Sequence, residues 1–497
     1  MRYAGRYSIL KEHSLETKMK VIQTPQARCK AAVARCDITP PIGIYHRMWG
    51  AALHDRATGV HRPLLATVLY LQPDSHSDSE PILIVSLDHC ILDGQEIQNI
   101  KKSIEGSTGM SPKSVLVTLT HTHGAGWMSR SRSDLPGGEL LGPYLDQLAA
   151  AVGELAKTVI AQRADCSMIY AQGRCNLAAH RNYIDEEQKR FVCGLNPTGF
   201  ADDTLMLAKI IDKEGKTLAT VVNYACHPTT LAWDNTLISP DWVGSMREVI
   251  ENEEGGLCLF LQGASGDLGP REGFVGDTKV ADRNGKQVGF AALSTLATLP
   301  EPMTMYRYTG SVVSGTRIGT WQHQPLDPDT VDRIRKWHWE SFIVELPYRH
   351  DLPTVEQTIE DQQRWQKVLE QAQAAKDSIL LRDARAQIEQ CTRQLTRLKH
   401  LVPGRCYPLE IQLGFIGDAI WVFLPGEIYQ TFQTTLRERF APRPIFVTTL
   451  TNDWQPGYIP AASSYGYEIY QEVIAATAPG CLEVLIESIS RRIDADY

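Results

Sequence analysis

The sequence predicts an α/β fold: a mixed β-sheet flanked by helices, with a helical-hairpin insertion late in the chain. Three observations carry this. Short runs rich in Val, Ile and Leu, bounded by turn residues, read as buried strands at 82–87 (ILIVSL), 115–119 (VLVTL), 218–224 (LATVVNY), 257–261 (LCLFL), 420–424 (IWVFL) and 445–450 (IFVTTL). Helix-period segments alternate with them; 144–160 sets Leu145, Leu148, Val152, Leu155 and Val159 on one face. The third is 354–400, rich in Glu, Gln, Lys, Arg, Ala and Leu and free of Gly and Pro. Such residues are strong helix formers, and the segment is too long for one ordinary globular helix. It is expected to be two antiparallel helices breaking near 375–378, either a solvated hairpin packed on a face or a lid or partner-binding arm. The stretch 470–493 is expected to form two short helices around Pro479-Gly480.

The 497 residues are 43% hydrophobic and 22% charged, an ordinary globular composition. The formal charge of −8 argues against nucleic acid as a partner. No apolar run approaches the roughly 20 residues of a transmembrane helix. The first twenty residues hold no apolar stretch of signal-peptide length. Eleven scattered cysteines without a CxxC pair suit reduced thiols, and a cytoplasmic location is expected.

The strand ends carry the chemistry. The run VLVTLT leads into His121-Thr122-His123, and ATVVNYAC into His227. LCLFLQ leads into Gly263-Ala264-Ser265-Gly266-Asp267, IWVFLPG into Glu427, and IFVTTLTNDWQPG into Tyr458. ILIVSL leads into Asp88-His89. Ligands gather at the carboxyl ends of strands in α/β sheets, so these ends are expected to converge on one pocket. Continued strand geometry would point His121 and His123 the same way, for two metal ligands or for one ligand and one proton carrier. Taken singly, each residue also has a structural reading: capped histidines, a solvated Glu427, and Tyr458 and Tyr470 as core or surface aromatics. The Gly-rich turn lacks a P-loop or dinucleotide pattern, and no GxSxG or HExxH is present. Arg130 and Arg132 are expected to be solvated.

Taken in chain order, these residues resemble the neutral/alkaline non-lysosomal ceramidase family. The matching elements begin with Asp37-Ile38-Thr39-Pro40-Pro41, Met48-Trp49-Gly50 and the segment Gly59-Val60-His61-Arg62-Pro63-Leu64-Leu65-Ala66. They continue through the strand ending at Asp88, His121-Thr122-His123, Asn196-Pro197 with Asp203-Thr204-Leu205, and Asn223 to Thr229. Leu237-Ile238-Ser239, the turn from Gln262 to Pro270, Pro425-Gly426-Glu427 and the stretch from Tyr458 to Tyr470 complete the series.

The resemblance implies one zinc ion per chain, held by His121, His227, Glu427 and Tyr458. His123 falls on the family's general acid/base histidine, Tyr470 on a second site tyrosine, and Arg181 on an arginine that helps hold the reacting carbonyl. It implies residues 1–30 as an N-terminal extension and 31–497 as a catalytic domain, with the helical insertion at about 354–400. No C-terminal immunoglobulin-like domain is expected. The implied activity is zinc-dependent hydrolysis of an N-acyl amide, with a small-molecule or lipid N-acyl substrate such as ceramide. A smaller polar amide, ester or lactone is the alternative, as is a non-catalytic ligand binder. Two departures bear on substrate. Gly124 stands where the family has Ser after its His-Thr-His, and Pro136-Gly137-Gly138 follows only after a longer loop.

Overall fold

The computed structural model describes residues 21–74 and 79–495; the leader expectation and most of the predicted N-terminal extension lie outside these. Eight strands form the main sheet: β1 (Gln26–Asp37), β2 (Leu65–Pro73), β3 (Ile82–Leu87), β4 (Val115–Leu119), β5 (Ala164–Arg174), β6 (Thr204–Asp212), β7 (Thr217–Tyr224) and β8 (Leu257–Gln262). Their order is β8-β7-β6-β5-β1-β2-β3-β4. The two outer pairs, β7 with β8 and β3 with β4, are parallel; the pairs between are antiparallel. A second sheet has the order of the chain: β9 (Trp337–Pro347), β10 (Cys406–Ile416), β11 (Ala419–Phe423) and β12 (Ile445–Thr448). Its β11–β12 pair is also parallel.

The two sheets pack face to face, with helices on both outer sides. Side-chain alternation along the strands builds these layers. In β3, Ile82 and Ile84 face the second sheet, while Leu83, Val85 and Leu87 face helices. In β11, Trp421 and Phe423 enter the space between the sheets, where Trp421 stacks on Phe446 at 4.5 Å. Ile420 and Val422 point outward. Both faces being covered explains why these strands read as unbroken apolar runs. Helices α1 (Gly94–Thr108) and α2 (Leu141–Ala161) cover one part of the main sheet, and α3 (Trp242–Glu254) with α4 (Thr278–Leu296) cover another. Helices over Gln430–Arg439 and Cys481–Ala495 cover the second sheet with Phe432, Leu436, Leu485 and Ile489.

The segment 354–400 forms two helices, α5 (Val355–Ala375) and α6 (Ser378–His400). Thr354 and Gln357 make a capping box at the first. The turn uses neither Gly nor Pro: Lys376 takes a left-handed conformation (φ 56°), and the Asp377 side chain accepts from the Ile379 and Leu380 amides. The second helix lies against the Met48-Trp49-Gly50 loop, where a Cβ on Gly50 would come within 3.2 Å of Ala386.

Arg132 departs from the solvated position expected of it. Its guanidinium forks onto Glu389 of α6 at 2.8 and 2.9 Å, with both side chains buried. It also lies over the Trp127 ring at 4.8 Å. Arg130 meets the expectation only in part, since it is exposed yet bridges Glu96 and Asp146. The counter-charge comes from a helix residue 257 positions later, a pairing that local sequence does not encode. All eleven cysteines are free thiols. Among the described residues, no helix is long and apolar enough to cross a membrane.

Burial raises the Glu389 carboxyl, but Arg393 and Arg132 outweigh this and hold it down to about 2 from its ordinary 4.5. A carboxylate depressed on folding stabilises above its unfolded value, and that contribution is lost as pH falls through the folded one. Glu389→Gln should therefore cost on the order of 3 kcal/mol at pH 7. The gap from wild type, read by urea denaturation, should narrow as pH drops from about 4.5 toward 2. A gap independent of pH would remove the ion pair as its cause.

Candidate metal centre

The parallel pairs bring the predicted strand ends to one edge. His121 follows β4, His227 follows β7, and Glu427 follows β11. The sheets join at this edge: the Asn452 amide donates to Val117 O at 2.7 Å, and the Thr449 amide to Gln262 O at 2.9 Å. Glu427–Ile428 and Tyr458–Ile459 are two-residue parallel strands with Glu427 opposite Tyr458.

His121, His227 and Glu427 converge, each offering an atom within 4.8 Å of the others. Glu427 Oε2 lies 3.0 Å from His227 Nε2 and 3.2 Å from His121 Nε2. The outer nitrogens are committed to carbonyls. His121 Nδ1 bonds Cys90 O at 2.8 Å, and His227 Nδ1 bonds Ser265 O at 2.7 Å and Leu268 O at 3.1 Å. A carbonyl only accepts, so Nδ1 carries the proton and Nε2 presents a lone pair. Two lone pairs and a carboxylate oxygen then face one another in the interior, which is unfavourable without a positive charge among them. The His121 Nε2 contact with Glu427 also lacks hydrogen-bond geometry, leaving this buried nitrogen without a hydrogen-bond partner. Tetrahedral ligands at about 2.0–2.1 Å from a zinc-like ion stand roughly 3.3 Å apart, close to these separations. The chemistry of the set thus fits a divalent cation.

Cys90, His121 and His123 form a second cluster. There Cys90 Sγ approaches His121 at Nδ1 (3.5 Å), the nitrogen already taken by Cys90 O. The first cluster is the better cation site for that reason.

Burial and the Arg181 charge push His227 down to about 3, against the opposing pull of Glu427. Burial raises Glu427, but His121 and His227 hold it well below the carboxylate range. Burial lowers His121, and Cys90 with Glu427 outweigh it to leave it well above its ordinary value, so that without a cation a second proton on Nε2 supplies the positive charge facing Glu427. His123 lies well below its ordinary value through burial and the two neighbouring imidazoles, so it is neutral near pH 7. Both its ring nitrogens are buried and have no hydrogen-bond partner among the described residues. Its ring stands 5.0 Å from those of His121 and Trp49.

Tyr458 is buried, and its Oη lies 3.5 Å from His227 Nε2. Arg181 Nη2 donates to that Oη at 2.9 Å and to Gly266 O at 2.6 Å. Arg181 therefore stands behind the phenol. Tyr470 begins a short helix, Tyr470–Ile474; it is 46% exposed, and its ring meets the edge of Tyr458 at 5.8 Å.

Three features differ from a simple strand-end picture. His121 and His123 are brought together by a turn and not by strand alternation: His121 is left-handed (φ 65°), and His123 opens a 3₁₀ turn. Asp88 and His89 stay out of the cluster. Asp88 binds Arg247 through two bonds of 3.0 and 2.5 Å, and His89 bonds Tyr144 Oη at 2.8 Å. The Gly-rich turn supplies carbonyls that orient His227 and Arg181. Trp49, Ser265 and Leu268 lie within motifs named from the sequence, but their contacts with the histidines had no signal there, and the Cys90 carbonyl had only its adjacency to Asp88-His89.

Gly124 is clamped beside the histidines: its carbonyl accepts from the Ser239 amide, and a Cβ would stand 2.6 Å from Ser239 O. Gly124→Ser should therefore cost about 1–3 kcal/mol in urea denaturation through overpacking. An unchanged midpoint would show that the Ser239 loop yields freely.

No family model matches the sequence, and no curated protein matches it. Solved structures do. The neutral ceramidase from Pseudomonas aeruginosa superposes with a TM-score of 0.62 at 14% identity, covering 94% of this chain and 74% of that one. A ceramidase complexed with C2 gives 0.61 at 14% identity, with the same coverage. The four-layer arrangement of two sheets between helices is thus a neutral ceramidase-like fold.

Proposed function

We propose that this protein is a zinc-dependent hydrolase that cleaves an N-acyl amide bond. The observation carrying this reading is the convergence of His121 Nε2 and His227 Nε2 on Glu427 Oε2, with both Nδ1 atoms fixed by main-chain carbonyls. The fold shared with ceramidases supports it. In this reading His121, His227, Glu427 and Tyr458 hold one zinc ion. Bound there, zinc lowers the pKa of water and polarises a carbonyl.

The remaining roles follow from position and charge. His123, neutral and with neither nitrogen hydrogen-bonded among the described residues, accepts a proton from water as the new C–O bond forms. It returns that proton to the departing nitrogen as the C–N bond breaks, giving a carboxylic acid and an amine. Arg181 donates to Tyr458 Oη and stabilises negative charge on the phenol, opposing the burial that pushes Tyr458 well above its ordinary value. Tyr470, at the accessible edge, donates to the oxyanion of the tetrahedral intermediate in this reading; its ring packing on the edge of Tyr458 supports that role.

Elemental mass spectrometry of protein purified without chelator should find one zinc per chain, lost in the His121→Ala/His227→Ala double variant. A folded protein that takes up no metal when supplied with zinc sinks the ligand assignment. His123→Ala should lower amide turnover by about 10²–10⁴-fold, and turnover of an activated ester of the same acyl chain far less, because only the amine leaving group needs a proton. Equal losses on both substrates would remove His123 as the proton donor.

A further inference from the structure

Beside the two packed sheets lies a third, of three strands. Its hairpin, Thr304–Ser314 with Thr316–Pro325, turns at Gly315 (φ 74°), and Val21–Ile22 pairs along its first strand. The base is anchored. Met305 is buried, and Gln26, where β1 begins, donates from its side chain to Thr304 O at 3.1 Å and accepts from the Met303 amide at 2.8 Å. The tip is not anchored: every residue from 311 to 319 is exposed. Val313 is 81% exposed, Val312 54% and Ile318 46%. Strand alternation normally gives apolar residues to one covered face. Here Val312 pairs with Ile318, and Val313 with Arg317 on the opposite face, so aliphatic side chains stand in solvent on both.

Three observations say what such a tip meets. Behind it lies an aromatic ladder on one face. Tyr308 pairs with Trp321 and Tyr306 with His323, with ring centroids 5.5 and 4.7 Å apart. Aliphatic groups followed by aromatics with polar ends match the order of environments on entering a lipid surface, acyl chains beyond a head-group layer. Charge is the second observation. Residues 302–326 contain no Asp or Glu, in a chain of net charge −8. Arg307 lies 3.8 Å from Asp327, but Arg317 at the tip has no ion pair or hydrogen bond among the described residues. Residues 1–20, which lead directly into Val21, add five Lys or Arg against two Glu. This basic region complements an anionic surface. The third is size. Three aliphatic side chains offer on the order of 100 Å² each, well short of the roughly 800 Å² per partner in a stable protein interface. A two-fold pairing of tips would also set Arg317 against its own copy.

We propose that this hairpin docks the protein on an anionic lipid surface. Val312, Val313 and Ile318 enter the acyl layer, and Arg317 extends its guanidinium back to the lipid phosphates. The docking surface is separate from the metal centre and holds whether or not that centre cleaves an amide.

Co-sedimentation of the full chain with vesicles tests this, using phosphatidylcholine alone and phosphatidylcholine mixed with phosphatidylglycerol. Wild type should bind the mixed vesicles at least about tenfold more strongly than the neutral ones, and less as salt is raised. Val312→Asp/Val313→Asp should cut binding to the mixed vesicles by at least about tenfold, and Arg317→Gln by about fivefold. All three positions are exposed, so urea midpoints should match wild type, which separates lost docking from lost folding. If the double variant does not fold, Arg317→Gln decides. No sedimentation of wild type, equal sedimentation with both vesicles, or binding that the variants leave intact overturns the proposal. So does a dimer, seen by light scattering, that the double variant dissociates, since the hairpin then serves a second copy.

Discussion

A single carboxylate oxygen, on a side chain only 13% exposed, governs the arrangement at the edge of the two sheets. Glu427 Oε2 faces the Nε2 atoms of His121 and His227 at 3.2 and 3.0 Å. Three electron-rich atoms do not sit together in a protein interior unless something positive joins them or one is protonated. Everything nearby fixes this juxtaposition. Carbonyls of Cys90, Ser265 and Leu268 turn the imidazoles, and the parallel pairing of Glu427–Ile428 with Tyr458–Ile459 sets the carboxylate beside the phenol.

The fold makes that edge. The larger sheet contains two parallel pairs and the smaller one, and chemistry-bearing loops accumulate where their strands end. Antiparallel strands fill the middle of the larger sheet and carry none of the cluster. The interlayer core of Trp421, Phe423 and Phe446 against Ile84, Leu116 and Leu259 holds the sheets in register, and cross-sheet bonds from Thr449 and Asn452 close the edge. A displacement of one sheet relative to the other would separate Glu427 from both histidines. The precision of the centre therefore depends on packing far from it.

The hairpin is tied down electrostatically. Its helices bury few apolar side chains; Glu389, gripped by Arg132 and Arg393, is its main anchor to the domain. Breaking one member of such a buried set leaves an uncompensated charge, so the anchor is specific as well as strong. The same helix carries Arg397, which donates to Gln394 three residues before it.

The sequence by itself determined the two-faced apolar strands, the paired helices of 354–400 and the order of the polar strand ends. Each rests on local pattern: unbroken β-branched and aromatic runs, helix-forming composition, and residues adjacent in the chain. His121, His227 and Glu427 were legible as candidates because they directly follow such runs. Only the tertiary structure decided which candidates meet. Asp88 and Asp267, equally prominent after strands, turn to Arg247 and Gln430 instead. The left-handed turn at His121, the place of Arg181 behind Tyr458 and the burial of Arg132 were likewise decided there. Each depends on a partner hundreds of residues away or on a backbone angle that side-chain identity does not encode. Local propensity fixes what a segment becomes, whereas the distances among side chains are set by how whole layers pack.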